Sequence, residues 1–298
     1  MFERRESDRR PVRGGWRLVV IGLGLAAAGI FAAGGCMERL FYYPQREPTP
    51  PPVGFPGAER LDFTSADGTP LVGWFLPATG ADPHTPAPAV LHAHGNAGNM
   101  TGHLWFTEAL PERGFHLVLF DYRGYGESGG SARRRADLIA DTHAALDAVL
   151  ADARVDRTRV GLYAQSLGGA IGLNVMRDRP EIRAGVVVAA FTSWREIAAD
   201  ALGGSFLARG AARVLIRDSA RPVDAIRHID RPLLIVHGTE DDIVPVAHGR
   251  RLAAAAPDAR FHPLEGGGHN DFRSSHPEVD ELVAGFFREH LSAAAPAR

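Results

Sequence analysis

The 298-residue sequence predicts an α/β fold: a mostly parallel, eight-stranded sheet with helices on both faces and a short lid insertion. Two patterns carry this prediction. Strand-like and helix-like segments alternate from residue 59 onward, and most of the strand-like segments are apolar throughout rather than at every second position. Strands apolar on both sides belong to a parallel sheet covered on each face, and the intervening helices supply the crossovers. The composition, 45% hydrophobic and 23% charged, is that of an ordinary globular chain, long enough for one large domain.

The elements follow in order. Residues 59–65 alternate and read as an edge strand; Ala66-Asp67-Gly68-Thr69 is a turn, and 70–77 returns as the second strand of a hairpin. An apolar strand at 88–93 delivers the glycine-rich loop His94–Asn99, followed by a helical pattern at 101–112. A buried strand at 115–120 leads into Asp121–Ser128, and a helix spans 134–151. The strand 159–164 stops at Ser166 among small residues, and a helix runs from 167 to 178. Strand 184–190 is nearly all Val and Ala. Strand 232–237, helix 246–256, strand 259–264 and helix 277–292 complete the domain, set at 59–298. Residues 191–230 break the alternation with Trp194, a Gly203-Gly204 pair and a helical stretch at 205–217. An insertion at this point is expected to lie as a lid over the strand ends.

The N-terminus reads as an address. Arg4, Arg5, Arg9, Arg10, Arg13 and Arg17 precede the uncharged run 18–37, about the ~20 residues that cross a bilayer. The run closes on Ala33-Gly34-Gly35-Cys36, which resembles a bacterial lipoprotein box. Residues 1–37 are therefore expected to be an export signal with Cys36 lipidated, or an uncleaved membrane anchor. Either way the domain is tethered at a membrane, facing outward. The proline-rich stretch 38–58 is expected to be a stiff linker. Gly22-Leu-Gly24-Leu-Ala-Ala27 fits a dinucleotide pattern but lacks the following strand and acidic residue.

Charge and residue usage exclude several chemistries. A formal net charge of −2 gives no electrostatic case for nucleic acid. The sequence contains no lysine, which removes Walker-type phosphate loops, Schiff-base chemistry and Ser-Lys dyads. One cysteine permits no internal disulfide and no cysteine zinc cluster. A His92-x-His94 pair lacks a nearby carboxylate ligand, which argues against a metal site there.

The segment Ala164-Gln-Ser166-Leu-Gly-Gly169 is a strand, a sharp turn and a helix, with the serine hydroxyl at the turn. Ala164 stands where the commoner pattern has glycine. A serine needs a base to take its proton and a buried acid to orient that base. Both follow later strands: His237-Gly-Thr-Glu240-Asp241-Asp242 and Glu265-Gly-Gly-Gly-His269. Ser166 is the expected nucleophile and His269 the base. Asp241 is preferred as acid over Asp242, with Glu240 third. Oxyanion donors are expected from the backbone of Leu167 and of Asn96 or Ala97. Arg123 and Tyr125, in a second glycine-rich loop, are expected to pack rather than touch substrate.

Taken together, His94–Asn99, Asp121–Ser128, Ala164–Gly169, His237–Asp241 and Gly268-His269 resemble the α/β-hydrolase superfamily across residues 59–292. Within it, the nearest likeness is to a membrane-tethered branch similar to serine aminopeptidase-like hydrolases and depalmitoylases. The resemblance implies the α/β-hydrolase fold and a serine esterase, thioesterase or peptidase without metal or organic cofactor, and does not identify the substrate. The expected reaction is hydrolysis through an acyl-enzyme, with a carboxylic ester of a small-molecule or acyl-lipid substrate as first choice. Acyl transfer on the same residues, or a non-catalytic envelope scaffold, are the alternatives.

Overall fold

The computed structural model describes residues 37–82, 84–256 and 258–292. The sheet has eight strands: β1 (Glu59–Thr64), β2 (Pro70–Leu76), β3 (Ala87–Ala93), β4 (His116–Phe120), β5 (Val155–Gln165), β6 (Ile182–Val188), β7 (Leu233–Gly238) and β8 (Arg260–Leu264). Their order is β1-β2-β4-β3-β5-β6-β7-β8. β2 runs antiparallel to both β1 and β4, and every other pairing is parallel. The apolar runs have their reason here. Neighbours on one strand face different cores: Leu91 and Leu162 look to one side, Val90 and Tyr163 to the other.

Nine helices accompany the sheet among the described residues: α1 (Met100–His103), α2 (Arg135–Ala151), α3 (Leu167–Asp178), α4 (Trp194–Ala201), α5 (Phe206–Leu215), α6 (Pro222–Ile226), α7 (Ala247–Ala255), α8 (Phe272–Ser275) and α9 (Val279–His290). Leu138 and Leu146 of α2, Ile171 of α3 and Leu252 of α7 fill one face. Phe286 and Phe287 of α9, with Met100 and Phe106, fill the other. α4, α5 and α6 occupy the segment expected as an insertion, between β6 and β7.

Two expectations need correction. The pattern at 101–112 forms α1 and then isolated 3₁₀ turns at Leu104–Phe106 and Pro111–Arg113. The Thr107 hydroxyl bonds His92 Nδ1 at 2.9 Å, and Pro111 offers no N–H to continue a helix. β5 begins four residues earlier than its apolar core suggests, and a register shift separates the Ala87–Val155 pairing from Ala89–Val160. The stretch expected as a stiff linker lies along the domain. Gln45 N–H donates to Gly98 O and Gln45 O accepts from Gly126 N–H. Thr49 N–H donates to Glu127, and Trp74 Nε1–H to Thr49 O. Tyr42 is buried, and Phe41 meets the Trp194 ring edge-on at 5.4 Å. Aperiodic segments of this kind bury single side chains, which no periodicity announces. Residues 1–36, with the expected anchor and Cys36, lie outside the described residues. Among those described, no helix is long and apolar enough to cross a membrane.

Candidate active site

β5 ends at Gln165 and α3 begins at Leu167, so Ser166 occupies the turn between them with φ 52° and ψ −112°. A left-handed non-glycine residue stores on the order of 1–3 kcal/mol of backbone strain. The surroundings enforce it: Ser166 N–H donates to Val188 O at 2.8 Å. A Cβ on Gly168 would stand 1.9 Å from Ala93 O, so only glycine lets α3 approach the sheet this closely.

The loops after β7 and β8 bring in the other two groups. Glu240 N–H donates to Gly267 O at 3.0 Å and Thr239 N–H to Leu264 O at 2.9 Å, locking the two loops together. His269 Nδ1–H donates to Asp241 Oδ2 at 2.7 Å, which leaves Nε2 as an acceptor 3.0 Å from Ser166 Oγ. Asp241 Oδ1 accepts from the backbone N–H groups of Ile243 and Val244 at 3.0 and 2.7 Å. Burial opposes the charge on Asp241. Contacts from His237 and His269 and the Val244 N–H outweigh it and hold the carboxyl well below its ordinary range. Glu240 and Asp242 are exposed on either side, so among the three acidic neighbours Asp241 is the one against the imidazole.

The expected oxyanion residues gather at the same place. Leu167 is the first residue of α3, where backbone N–H groups lack helical partners. Asn96, Ala97 and Leu167 share the pocket wall with Ser166. Ala97, like Ser166, has a left-handed φ, 63°. The Asn96 side chain is otherwise engaged: Oδ1 accepts from Tyr43 N–H and the Tyr125 hydroxyl, and Nδ2–H donates to Phe41 O. It pins the strap formed by residues 37–43 to the loop through Phe41 and Tyr43.

Above Ser166 opens a cavity of about 550 Å³. Phe191, Ile197, Ala198 and Leu202 from the inserted segment form one wall; Met37, Leu40 and Phe41 from the strap form another. Among the described residues no Asp, Glu or Arg lines it.

Several contributors escape sequence reasoning. His237 lies fully buried beneath the acid, its Nε2 2.7 Å from Val244 O and 3.4 Å from Asp241 Oδ2. His103 bridges the Gln165 side chain at 3.1 Å and Ala97 O at 3.0 Å, joining the serine turn to the oxyanion loop. Burial pushes its ring down to about 4. A histidine at the end of an apolar strand was the one available signal for His237, and nothing in the sequence separates His103 from a surface residue. Arg123 and Tyr125 pack as expected. Arg123 grips Asp141, Asp67 and Ser65, and the Tyr125 ring is buried.

The chain resembles known proteins along most of its length. Residues 84–217 match the family model described as serine aminopeptidase, S33, and residues 212–294 match that of TAP-like protein. YfhR of Escherichia coli (strain K12) is 36% identical over 246 residues, which cover 81% of this chain and 83% of that one. The α/β hydrolase domain-containing protein WAV2 of Arabidopsis thaliana is 28% identical over 86% of this chain and 88% of its own. Among solved structures, the Pyrococcus furiosus esterase Pf2001 superposes with a TM-score of 0.69 at 17% identity, covering 85% of this chain and 99% of the esterase. The Pyrococcus horikoshii acylaminoacyl peptidase reaches 0.65 at 18% identity, over 81% of this chain and 43% of the peptidase. The fold is therefore shared at identities too low to carry an activity, while the likeness to YfhR extends over more than four-fifths of that relative. On that breadth of kinship, and on a sheet whose order and direction agree with it, the chain belongs to the α/β-hydrolase superfamily.

Proposed function

We propose that this chain is a serine hydrolase that cleaves carboxylic esters of apolar acyl groups. The observation that carries the reading is the hydrogen-bonded row from Ser166 through His269 to Asp241, at 3.0 and 2.7 Å, at the floor of an apolar cavity. Ser166 Oγ attacks the ester carbonyl as its proton passes to His269 Nε2. The carbonyl oxygen becomes an oxyanion held by the backbone N–H groups of Leu167 and of Ala97 or Asn96. Asp241 keeps the imidazole in the tautomer that accepts at Nε2 and stabilises the imidazolium once it forms. His269 returns the proton to the leaving alkoxide, giving an alcohol and an acyl-Ser166. Water, deprotonated by the same nitrogen, then releases the carboxylic acid.

An ester is favoured over a peptide with a free N-terminus because the cavity lining, among the described residues, offers no carboxylate for an α-ammonium group. Burying such a charge unpaired costs far more than apolar contacts return. Replacement of the nucleophile tests the reading. Ser166→Ala should lower turnover of p-nitrophenyl butyrate by on the order of 10⁴ to 10⁶ and abolish labelling by a fluorophosphonate. Near wild-type turnover in that variant rejects the mechanism. We further propose that residues 1–37 tether the domain at a membrane. Lipid labelling that persists unchanged in Cys36→Ser excludes the lipoprotein form of the tether.

A further inference from the structure

The outer face of α5 is apolar where a surface is ordinarily polar. Phe206 and Leu207 are 88% and 81% exposed, and Val214 is 59% exposed. The helix rests on the domain through the small residues Ala208 and Ala212, so its large side chains point away. The apolar face continues to the cavity mouth, since Leu202, Leu40 and Ile243 line the cavity and are each more than half exposed. Clusters of this kind mark interaction sites.

Charge selects the partner. Residues 201–217 contain Arg209, Arg213 and Arg217 at four-residue spacing and no acidic residue, in a chain whose net charge is −2. All three arginines are exposed. Arg209 lies 3.6 Å from Asp200 and donates to Gly204 O, contacts that leave its charge near the surface. A second copy docking by the same patch would set arginines against arginines. An anionic lipid surface complements both features, with apolar side chains in the acyl boundary and guanidinium groups at the phosphates. The chain itself points the same way: Met37 lines the cavity, and the residues immediately before it, 18–36, carry no charge.

We propose that α5 and the adjoining cavity mouth dock on an anionic bilayer, so that acyl substrate reaches Ser166 from the lipid phase. The delivery role rests on the ester-hydrolase reading; the docking does not. The full chain is reconstituted with vesicles of phosphatidylcholine alone or mixed with phosphatidylglycerol, and amide hydrogen exchange is followed in peptides covering 202–216. Exchange there slows in the mixed vesicles. In Phe206→Ser/Leu207→Ser and in Arg209→Gln/Arg213→Gln it returns toward the value without lipid, the arginine pair weakening the docked state roughly thirtyfold. The residues before Met37 are common to all variants, so differences among them report on α5. Turnover of soluble p-nitrophenyl butyrate stays at the wild-type level in both variants, as a check on folding. Exchange equal with and without lipid overturns the proposal. Protection that arises without vesicles and grows with protein concentration also overturns it, in favour of a second copy. Docking without any ester turnover sinks the hydrolase reading and leaves the docking standing.

Discussion

The Ala164 methyl lies 3.1 Å from the point where a Cβ on Gly172 would stand, one helical turn and more beyond the serine. The extra methyl that this chain carries before Ser166 is thus accommodated by a glycine on the facing side of α3. The pair makes opposite predictions. Ala164→Gly should retain ester turnover, because the turn geometry is set at Ser166 and Gly168. Gly172→Ala forces methyl against methyl and crowds Leu162 as well, at a cost of about 1–3 kcal/mol. Thermal denaturation of the two variants checks both, and equal stability would show that α3 can shift to make room.

Asp241 and Asp242 adjoin in sequence and differ in what they touch. Asp241→Asn removes the acceptor that fixes the His269 tautomer, and kcat for p-nitrophenyl butyrate should fall by on the order of 10³ to 10⁴. Asp242→Asn should change it less than about threefold, since that side chain is exposed and the His269 contact belongs to its neighbour. A larger loss in Asp242→Asn would reassign the acid.

The hydrogen-bonded row of Ser166, His269 and Asp241 was legible because chemistry and strand pattern agree there: a serine, an acid and a histidine each follow a separate apolar strand. The sheet was legible for the same reason, as Val90 and Leu91 are both buried by opposite layers. Two things were not. The strap around Phe41 and Tyr43 carries no period, and its bonds to Asn96 depend on contacts 53 and 55 residues away. The break in the helical pattern at 101–112 comes from Thr107 reaching His92 across the chain, a preference that local propensity does not contain.

Arg123 is nearly buried and faces two acids of unequal worth. Asp141 is fully buried and receives Nε and Nη2 of the guanidinium as well as the Arg123 backbone N–H. Asp67 is more than half exposed. Asp141→Ala removes the buried carboxylate, leaves the cation only the solvent-facing Asp67, and should cost up to about 3–5 kcal/mol. Asp67→Ala should cost about 0–1 kcal/mol. Urea denaturation of the two variants measures the contrast; equal losses would mean that solvent reaches Arg123 freely.

Stability should fall on mild acidification. Burial holds His103 down to about 4 and His92 well below its ordinary value, while the unfolded chain takes up protons near 6.5. Between those values the unfolded state binds more protons, so stability rises with pH, is fully present above about 6.5, and for His103 is lost on falling toward 4. Asp241, whose carboxyl is also lowered, adds a loss of the same sign below about 3.9. The unfolding free energy in urea should therefore drop from pH 7 to pH 5. In His103→Gln the slope should be shallower by at most about 1.4 kcal/mol per pH unit, less where water screens the ring. An unchanged slope would show that His103 titrates alike in both states.

On the proposed ester-hydrolase reading, the cavity above Ser166 makes the acyl group the readable part of the substrate. Its walls are aliphatic and aromatic, so each added methylene that finds them is worth about 0.8 kcal/mol, or roughly fourfold in kcat/KM. A series of p-nitrophenyl esters from acetate to decanoate should climb at about that rate and then level off where the chain outgrows the walls. Ala198 on α4 lines the cavity, and Ala198→Trp should bring the plateau to shorter chains while leaving the acetate rate within about threefold. A flat profile would mean that the acyl chain lies elsewhere. Faster cleavage of leucine p-nitroanilide than of any ester would mean that an ammonium group is welcome in the cavity, for which the described wall residues offer no carboxylate.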